Sequence, residues 1–188
     1  MTLAKPNDVL TQLNQVIAEA ECLYTADQVA ATAAAMAAAI SQDFAANNPL
    51  LLCVMIGGMI PCSLLLRHLD FPLEVDYIHA TRYRANTGST LEWRSRPRIA
   101  LTDRHVLIVD DILDEGITLS AIKDWCLEQG AASVRIAVLT VKLHDRNQTG
   151  LQADYQGLTV PDRYVFGAGM DYHSYCRNLP GIYAVRSE

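Results

Sequence analysis

Val106-Leu-Ile-Val-Asp-Asp-Ile-Leu-Asp-Glu-Gly-Ile-Thr-Leu119 is the stretch whose reading decides the fold. Its four aliphatic residues, Val106 to Val109, predict a strand buried on both faces, as in a parallel sheet. Four carboxylates, Asp110, Asp111, Asp114 and Glu115, follow within six positions. Gly116 then permits a tight turn, and Thr118 and Ser120 lead into an amphipathic helix that ends at Gly130. The first N–H groups of a helix have no intrahelical partner and form a seat for phosphate. Two acids directly ahead of that seat can accept hydrogen bonds from a pair of vicinal hydroxyls. A phosphorylated sugar needs both features at once.

Two other readings of the stretch compete. The plain one is a solvated acidic loop, yet acids at the carboxyl end of a buried strand occupy the place where open α/β sheets bind ligands. Asp110-Asp-Ile-Leu-Asp114 also contains the Asp-Asp-x-x-Asp run of all-helical prenyl-transfer enzymes. That fold expects the run inside a helix and a second acidic run; here a strand precedes it, a glycine follows it and no second run exists.

Working outward, Leu50-Leu-Leu-Cys-Val-Met-Ile56 predicts a second doubly buried strand. It runs into Gly57-Gly58 and a helix over Met59 to Leu69 with Pro61 in its first turn, again a backbone site for an anion. Leu73 to Ala80 alternates and, with Asn86-Thr-Gly88 as a turn and Leu91-Glu-Trp93 as a return strand, predicts a hairpin. Ser133 to Val141 predicts another strand with Lys142 at its carboxyl end, and residues 143 to 162 read as a polar loop. Towards the N-terminus, residues 8 to 22 show helical spacing. Thr25-Ala-Asp-Gln28 fits a capping box that opens a long alanine-rich helix to about Ala46. Gly181-Ile-Tyr-Ala-Val185 predicts a last strand. Strands and helices alternate, so an α/β fold with a mainly parallel sheet is expected.

Val109-Asp-Asp-Ile-Leu-Asp-Glu-Gly-Ile-Thr118 resembles the phosphoribosyl-diphosphate (PRPP) motif of type I phosphoribosyltransferases. Pro161-Asp-Arg-Tyr-Val-Phe-Gly-Ala-Gly-Met-Asp-Tyr172, with His173 to Pro180, resembles the purine signature of their hypoxanthine-guanine branch. The resemblance spans roughly residues 50 to 185. It implies a central sheet flanked by helices, with a small hood from the N- and C-terminal segments. Within a single domain over 1–188 it implies a helical N-terminal segment over 1–48, a core over 49–145 and a purine-binding hood segment over 146–188.

It also implies roles. Asp110 and Asp111 would hold the ribose hydroxyls. The backbone from Glu115 through Gly116, Ile117 and Thr118 to Leu119 would hold the 5′-phosphate, and Asp114 would be the general base. Ile56, Gly57, Gly58 and Arg177 would bind diphosphate. Lys142 would reach the exocyclic oxygen of a 6-oxopurine, Tyr164 would stack on the base, and Val165 would offer backbone groups to its edge. Asp171 would face the purine side of the site and a second metal ion, so Mg2+ is the expected cofactor, held by Asp110, Asp111 and Asp171. Arg82 and Tyr83 would start a lid loop. The sequence departs from the family pattern at Ile56 (usually lysine), Arg82 (serine), Glu115 (threonine or serine) and Ile117 (lysine). The implied reaction joins PRPP to hypoxanthine or guanine; another base, or a nucleotide sensor without catalysis, are the alternatives.

Composition removes other classes. A net charge of −6 over 188 residues excludes a typical nucleic-acid binder, although Arg82, Arg84, Arg94, Arg96, Arg98 and Arg104 gather in one region, as suits a small polyanion. Five scattered cysteines show no metal-ligand spacing and fit buried thiols in a reducing cytoplasm. No signal segment and no apolar run of about 18 residues is present, so no membrane partner is expected. A homodimer or homotetramer is the expected assembly.

Overall fold

The structure, a computed structural model, describes residues 6–85, 88–147 and 149–186, with the side chains of 6–7, 82–85 and 88–90 outside the description. The predicted turn at Asn86-Thr87 and the side chains of Arg82 and Tyr83 lie outside the described residues.

The chain opens with helix α1 (Pro6–Glu19), strand β1 (Glu21–Tyr24) and helix α2 (Ala26–Phe44). Residues 21–24 are a strand and not the end of the first helix. The capping box that opens α2 is present: the Thr25 hydroxyl accepts from Gln28 N–H, and the Gln28 side chain accepts from Thr25 N–H. Then come β2 (Leu50–Val54), α3 (Met59–Leu66), β3 (Glu74–Ala85), β4 (Gly88–Ser95), β5 (His105–Leu113) and α4 (Ile117–Glu128). The chain closes with β6 (Ser133–Lys142), β7 (Tyr155–Val160), β8 (Val165–Phe166) and β9 (Ile182–Ala184).

Six strands form the central sheet in the order β4-β3-β2-β5-β6-β7. All neighbours in it are parallel except β3 and β4, which form the hairpin. The strands with unbroken aliphatic runs, β2, β5 and β6, lie in the middle, where both faces are covered. On one face Leu51, Leu107 and Val109 pack against Ile40, Phe44 and Leu65 of α2 and α3. On the other, Leu52, Ile108 and Ile136 belong to a cluster with Ile122 and Cys126 of α4. Each fully buried aliphatic side chain of this kind contributes about 1.5–3 kcal/mol, which suffices to hold a sheet whose interior strands are all non-local. β7 corrects the reading of 143–162 as loop: residues 155–160 form the sixth strand, so part of the segment assigned to the hood completes the core.

The hood exists. A second, antiparallel sheet in the order β1-β9-β8 joins the two ends of the chain above the carboxyl edge of the central sheet. Leu139, Val160, Val165 and Ile182 share a cluster with Val29, tying the hood to the core.

Candidate active site

β5 runs four residues further than its aliphatic core predicts. Asp110 pairs in register with Val138 and Ile112 with Thr140, so the first two acids stand on a strand and not in a turn. Alternation sends their side chains to opposite faces. Asp110 is half-buried and Asp111 is buried. Asp110 accepts from the Asp111 N–H at 2.9 Å. Burial, and then the Asp111 charge beside it, hold the Asp110 carboxyl well above the usual carboxylate range. Burial raises Asp111 as well, against the pull of Arg177.

Gly116 takes φ +80°, a left-handed conformation that glycine adopts without strain, and turns the chain into α4. A Cβ there would lie 2.5 Å from Thr149 Oγ1. No side chain caps this helix start. Residues 116–119 therefore line a cleft of about 510 Å³ with free first-turn amide positions. Ile56, Gly57, Asp110, Asp111, Asp114, Glu115, Asp171 and Arg177 line the same cleft.

The loop expected to bind diphosphate needs one correction. Gly58 N–H donates to Val54 O at 2.8 Å, and Met59 N–H to Ile56 O at 3.2 Å. Gly58 is buried, and a Cβ on it would meet Val109 O at 2.5 Å and Val54 O at 2.7 Å. It is a packing glycine, and the residues of this loop that line the cleft are Ile56, whose own amide belongs to a cis Met55–Ile56 peptide, and Gly57.

A second cleft, of about 480 Å³, is lined by Lys142, Tyr164, Val165 and Met170, and shares Asp111, Ile112, Asp114 and Asp171 with the first. Tyr164 is 46% exposed, with Tyr172 edge-on at a centroid distance of 5.3 Å and the His173 ring tilted against it at 5.8 Å. Val185 N–H donates to Tyr164 O, so the next pair, Val165 with Ala184, is a non-hydrogen-bonded one. The Val165 backbone groups consequently face the open edge of β8.

Asp114 stands where the clefts meet. Lys142 Nζ lies 3.2 Å from its Oδ2, and His144 Nε2 lies 2.5 Å from its Oδ1. Arg177 donates to Asp171 Oδ1 and to Gly169 O, both at 2.6 Å, with Asp111 Oδ2 at 3.5 Å. Ser174 N–H donates to Asp171 Oδ2 at 2.7 Å. Asp110, Asp111 and Asp171 do not converge: among the described residues no three His, Cys, Asp or Glu side chains form a metal cluster. Two adjacent carboxylates, one half-buried and one buried, with raised proton affinity nevertheless suit a divalent ion that brings phosphate oxygens as its other ligands.

The structure thus gathers every expected site residue except Gly58, which faces the core, and Arg82 and Tyr83, whose side chains are not described. Arg94, of the arginine cluster, lines the first cleft from the hairpin; sequence reasoning missed His79 and Thr81, which line it with Arg94, and His144 beside Asp114. A period-two signal was there for the last: Thr140, Lys142 and His144 alternate along and beyond β6, and all three reach the acidic segment.

A mainly parallel sheet with an uncapped helix start and acids at its carboxyl edge, joined by an antiparallel hood, defines a protein with a cleft suited to an anionic ligand beside a second, aromatic-walled cleft. The phosphoribosyl transferase domain family matches residues 19–174. The hypoxanthine-guanine phosphoribosyltransferase of Streptococcus pneumoniae is 33% identical over 168 residues, 88% of this chain and 93% of its own. The hypoxanthine-guanine-xanthine enzyme of Tritrichomonas foetus is 34% identical over 162 residues, 85% and 88% of the two chains. A hypoxanthine phosphoribosyltransferase structure from Staphylococcus aureus superposes with TM-score 0.84 at 25% identity, covering 97% of both chains. The chain belongs to the phosphoribosyltransferase family, in its hypoxanthine-guanine branch.

Proposed function

We propose that the protein transfers the 5-phosphoribosyl group of PRPP to N9 of hypoxanthine or guanine, releasing diphosphate and giving IMP or GMP. The observation that carries this reading is the position of Asp114, shared by a phosphate-type cleft and an aromatic-walled cleft, with Lys142 alongside.

The 5′-phosphate sits on the start of α4, from Glu115 to Leu119, and Asp110 and Asp111 accept from the ribose hydroxyls. Diphosphate lies against the Ile56 and Gly57 amides and Arg177. As the bond from C1′ to diphosphate breaks, positive charge grows on the sugar and negative charge on the leaving group; fixed donors meet the latter. N9 forms the new bond to C1′ and the purine gives its N7 proton to Asp114. Lys142 donates to the exocyclic oxygen, Tyr164 stacks on the ring and Val165 offers its backbone groups, with Asp171 on the same side. Mg2+, arriving with PRPP, would supply charge neutralisation to the leaving group, held by Asp110 and Asp111, while Asp171 stays engaged by Arg177 and Ser174. The hairpin carrying Arg82 and Tyr83 closes over the site. We further read the protein as a single domain that works in the cytoplasm as a homodimer or homotetramer. Among the described residues no helix is long and apolar enough to cross a membrane.

The test is a base panel with PRPP: hypoxanthine, guanine, xanthine and uracil, with and without Mg2+. Turnover of hypoxanthine or guanine is expected, and uracil turnover without either would overturn the reading. Xanthine belongs in the panel because the Tritrichomonas foetus relative carries it in its name.

A further inference from the structure

We infer that His144 is a positioning residue that holds Asp114 in the orientation needed to take the purine proton. The inference rests on the reading of Asp114 as proton acceptor given above. The His144 side chain is 4% exposed, and its two ring nitrogens have different partners. Nδ1 receives the Arg146 backbone N–H at 2.9 Å. An amide N–H only donates, so Nδ1 carries a lone pair and the ring proton is on Nε2. Nε2 therefore donates to Asp114 Oδ1 at 2.5 Å.

This fixes one oxygen of the carboxylate with a neutral donor that has no other task. The other oxygen, Oδ2, faces Lys142 Nζ at 3.2 Å. When Lys142 turns to the exocyclic oxygen of a purine, Oδ2 is released to meet N7–H while Oδ1 stays anchored. A carboxylate held by Lys142 alone would lose its orientation at the moment the base arrives. The histidine is itself braced: Arg146, whose backbone orients the ring, pairs through both terminal nitrogens with Asp162 at the rim of the base cleft, at 2.5 and 2.6 Å.

The experiment compares wild type, His144→Phe, His144→Gln, Asp114→Asn and the His144→Phe/Asp114→Asn double variant, by steady-state and single-turnover rates with PRPP and hypoxanthine. Phenylalanine keeps the ring volume and removes the donor; glutamine places an amide N–H near the position of Nε2. His144→Phe is expected to lower kcat about 10- to 100-fold with both KM values within about threefold, the signature of an interaction expressed in the transition state. Glutamine is expected to restore most of the rate. In the Asp114→Asn background the phenylalanine change should add less than about twofold, because contacting residues that act through one another are not additive. Equal losses in both backgrounds, an unchanged kcat in His144→Phe, or glutamine as poor as phenylalanine would each overturn the inference. Wild-type turnover by Asp114→Asn would instead sink the reading of Asp114 itself. Should His144→Phe lose its native circular dichroism, His144→Met is measured in its place, and unfolding of both makes the histidine's role structural and overturns the proposal.

Discussion

Gly57 and Asp111 touch: a Cβ on Gly57 would lie 2.1 Å from Asp111 Oδ2 and 2.4 Å from its Cγ. The strand that carries the acids and the loop at Ile56 and Gly57 are thus packed at a distance that only a glycine permits.

Gly57→Ala should push the Asp111 carboxylate aside and raise KM for PRPP about tenfold, the equivalent of roughly 1.4 kcal/mol. Gly58→Ala meets backbone oxygens of β2 and β5 and should instead lower stability by about 1–3 kcal/mol. Urea unfolding and initial rates separate the two; equal PRPP affinities in Gly57→Ala and wild type would contradict the contact.

Asp110→Asn should stabilise the fold while weakening PRPP binding. The folded Asp110 carboxyl titrates above its unfolded value because of burial and the Asp111 charge. Below the unfolded pKa, about 3.9, both states hold the proton and nothing is lost. As pH rises through that value the unfolded chain releases its proton first, so the native state becomes relatively less stable up to the folded pKa. The gain in Tm from Asp110→Asn should accordingly be larger at pH 7.5 than at pH 4. A gain independent of pH would count against the raised titration.

Lys142→Ala should reduce the kcat/KM ratio of hypoxanthine over adenine by about 100-fold, since a site built to donate to an oxygen loses that discrimination with its donor. Competition between the two bases for limiting enzyme measures it directly. An unaltered ratio would remove Lys142 from base selection.

Thr140→Val should cost about 1–3 kcal/mol, because it leaves the Asp111 carbonyl without the hydroxyl that donates to it at 2.7 Å in a fully buried place. For a chain of this size each kcal/mol lowers Tm by about 2–4 °C. Calorimetry at neutral pH reads the shift.

Much of this architecture could be read before any coordinates. Val106 to Val109 and Leu50 to Val54 are unbroken aliphatic runs, and such runs form strands only where both faces are covered; the parallel core follows. Thr25 and Gln28 announced the start of α2 three residues apart. What escaped was non-local. Glu21 to Tyr24 is too short and too mixed to signal a strand, and it forms one because β9, some 160 residues later, supplies its partner. Tyr155 to Val160 carries Gln156, Gly157 and Thr159, yet pairs with β6 at the sheet edge. The fate of the Gly58 amide was equally hidden, because the hydrogen bond to Val54 O depends on how the loop folds back.

The hood has a further consequence, for the order in which the protein acquires its abilities. Among the described residues β8 pairs with β9 alone, so the edge that carries Val165 lacks its backbone partner until residues 182–184 have been made. The strand and helix on either side of the Gly116 turn are complete by residue 128. A chain emerging from the ribosome would therefore carry the acidic strand and its following helix long before the last strand of the hood could close over Val165.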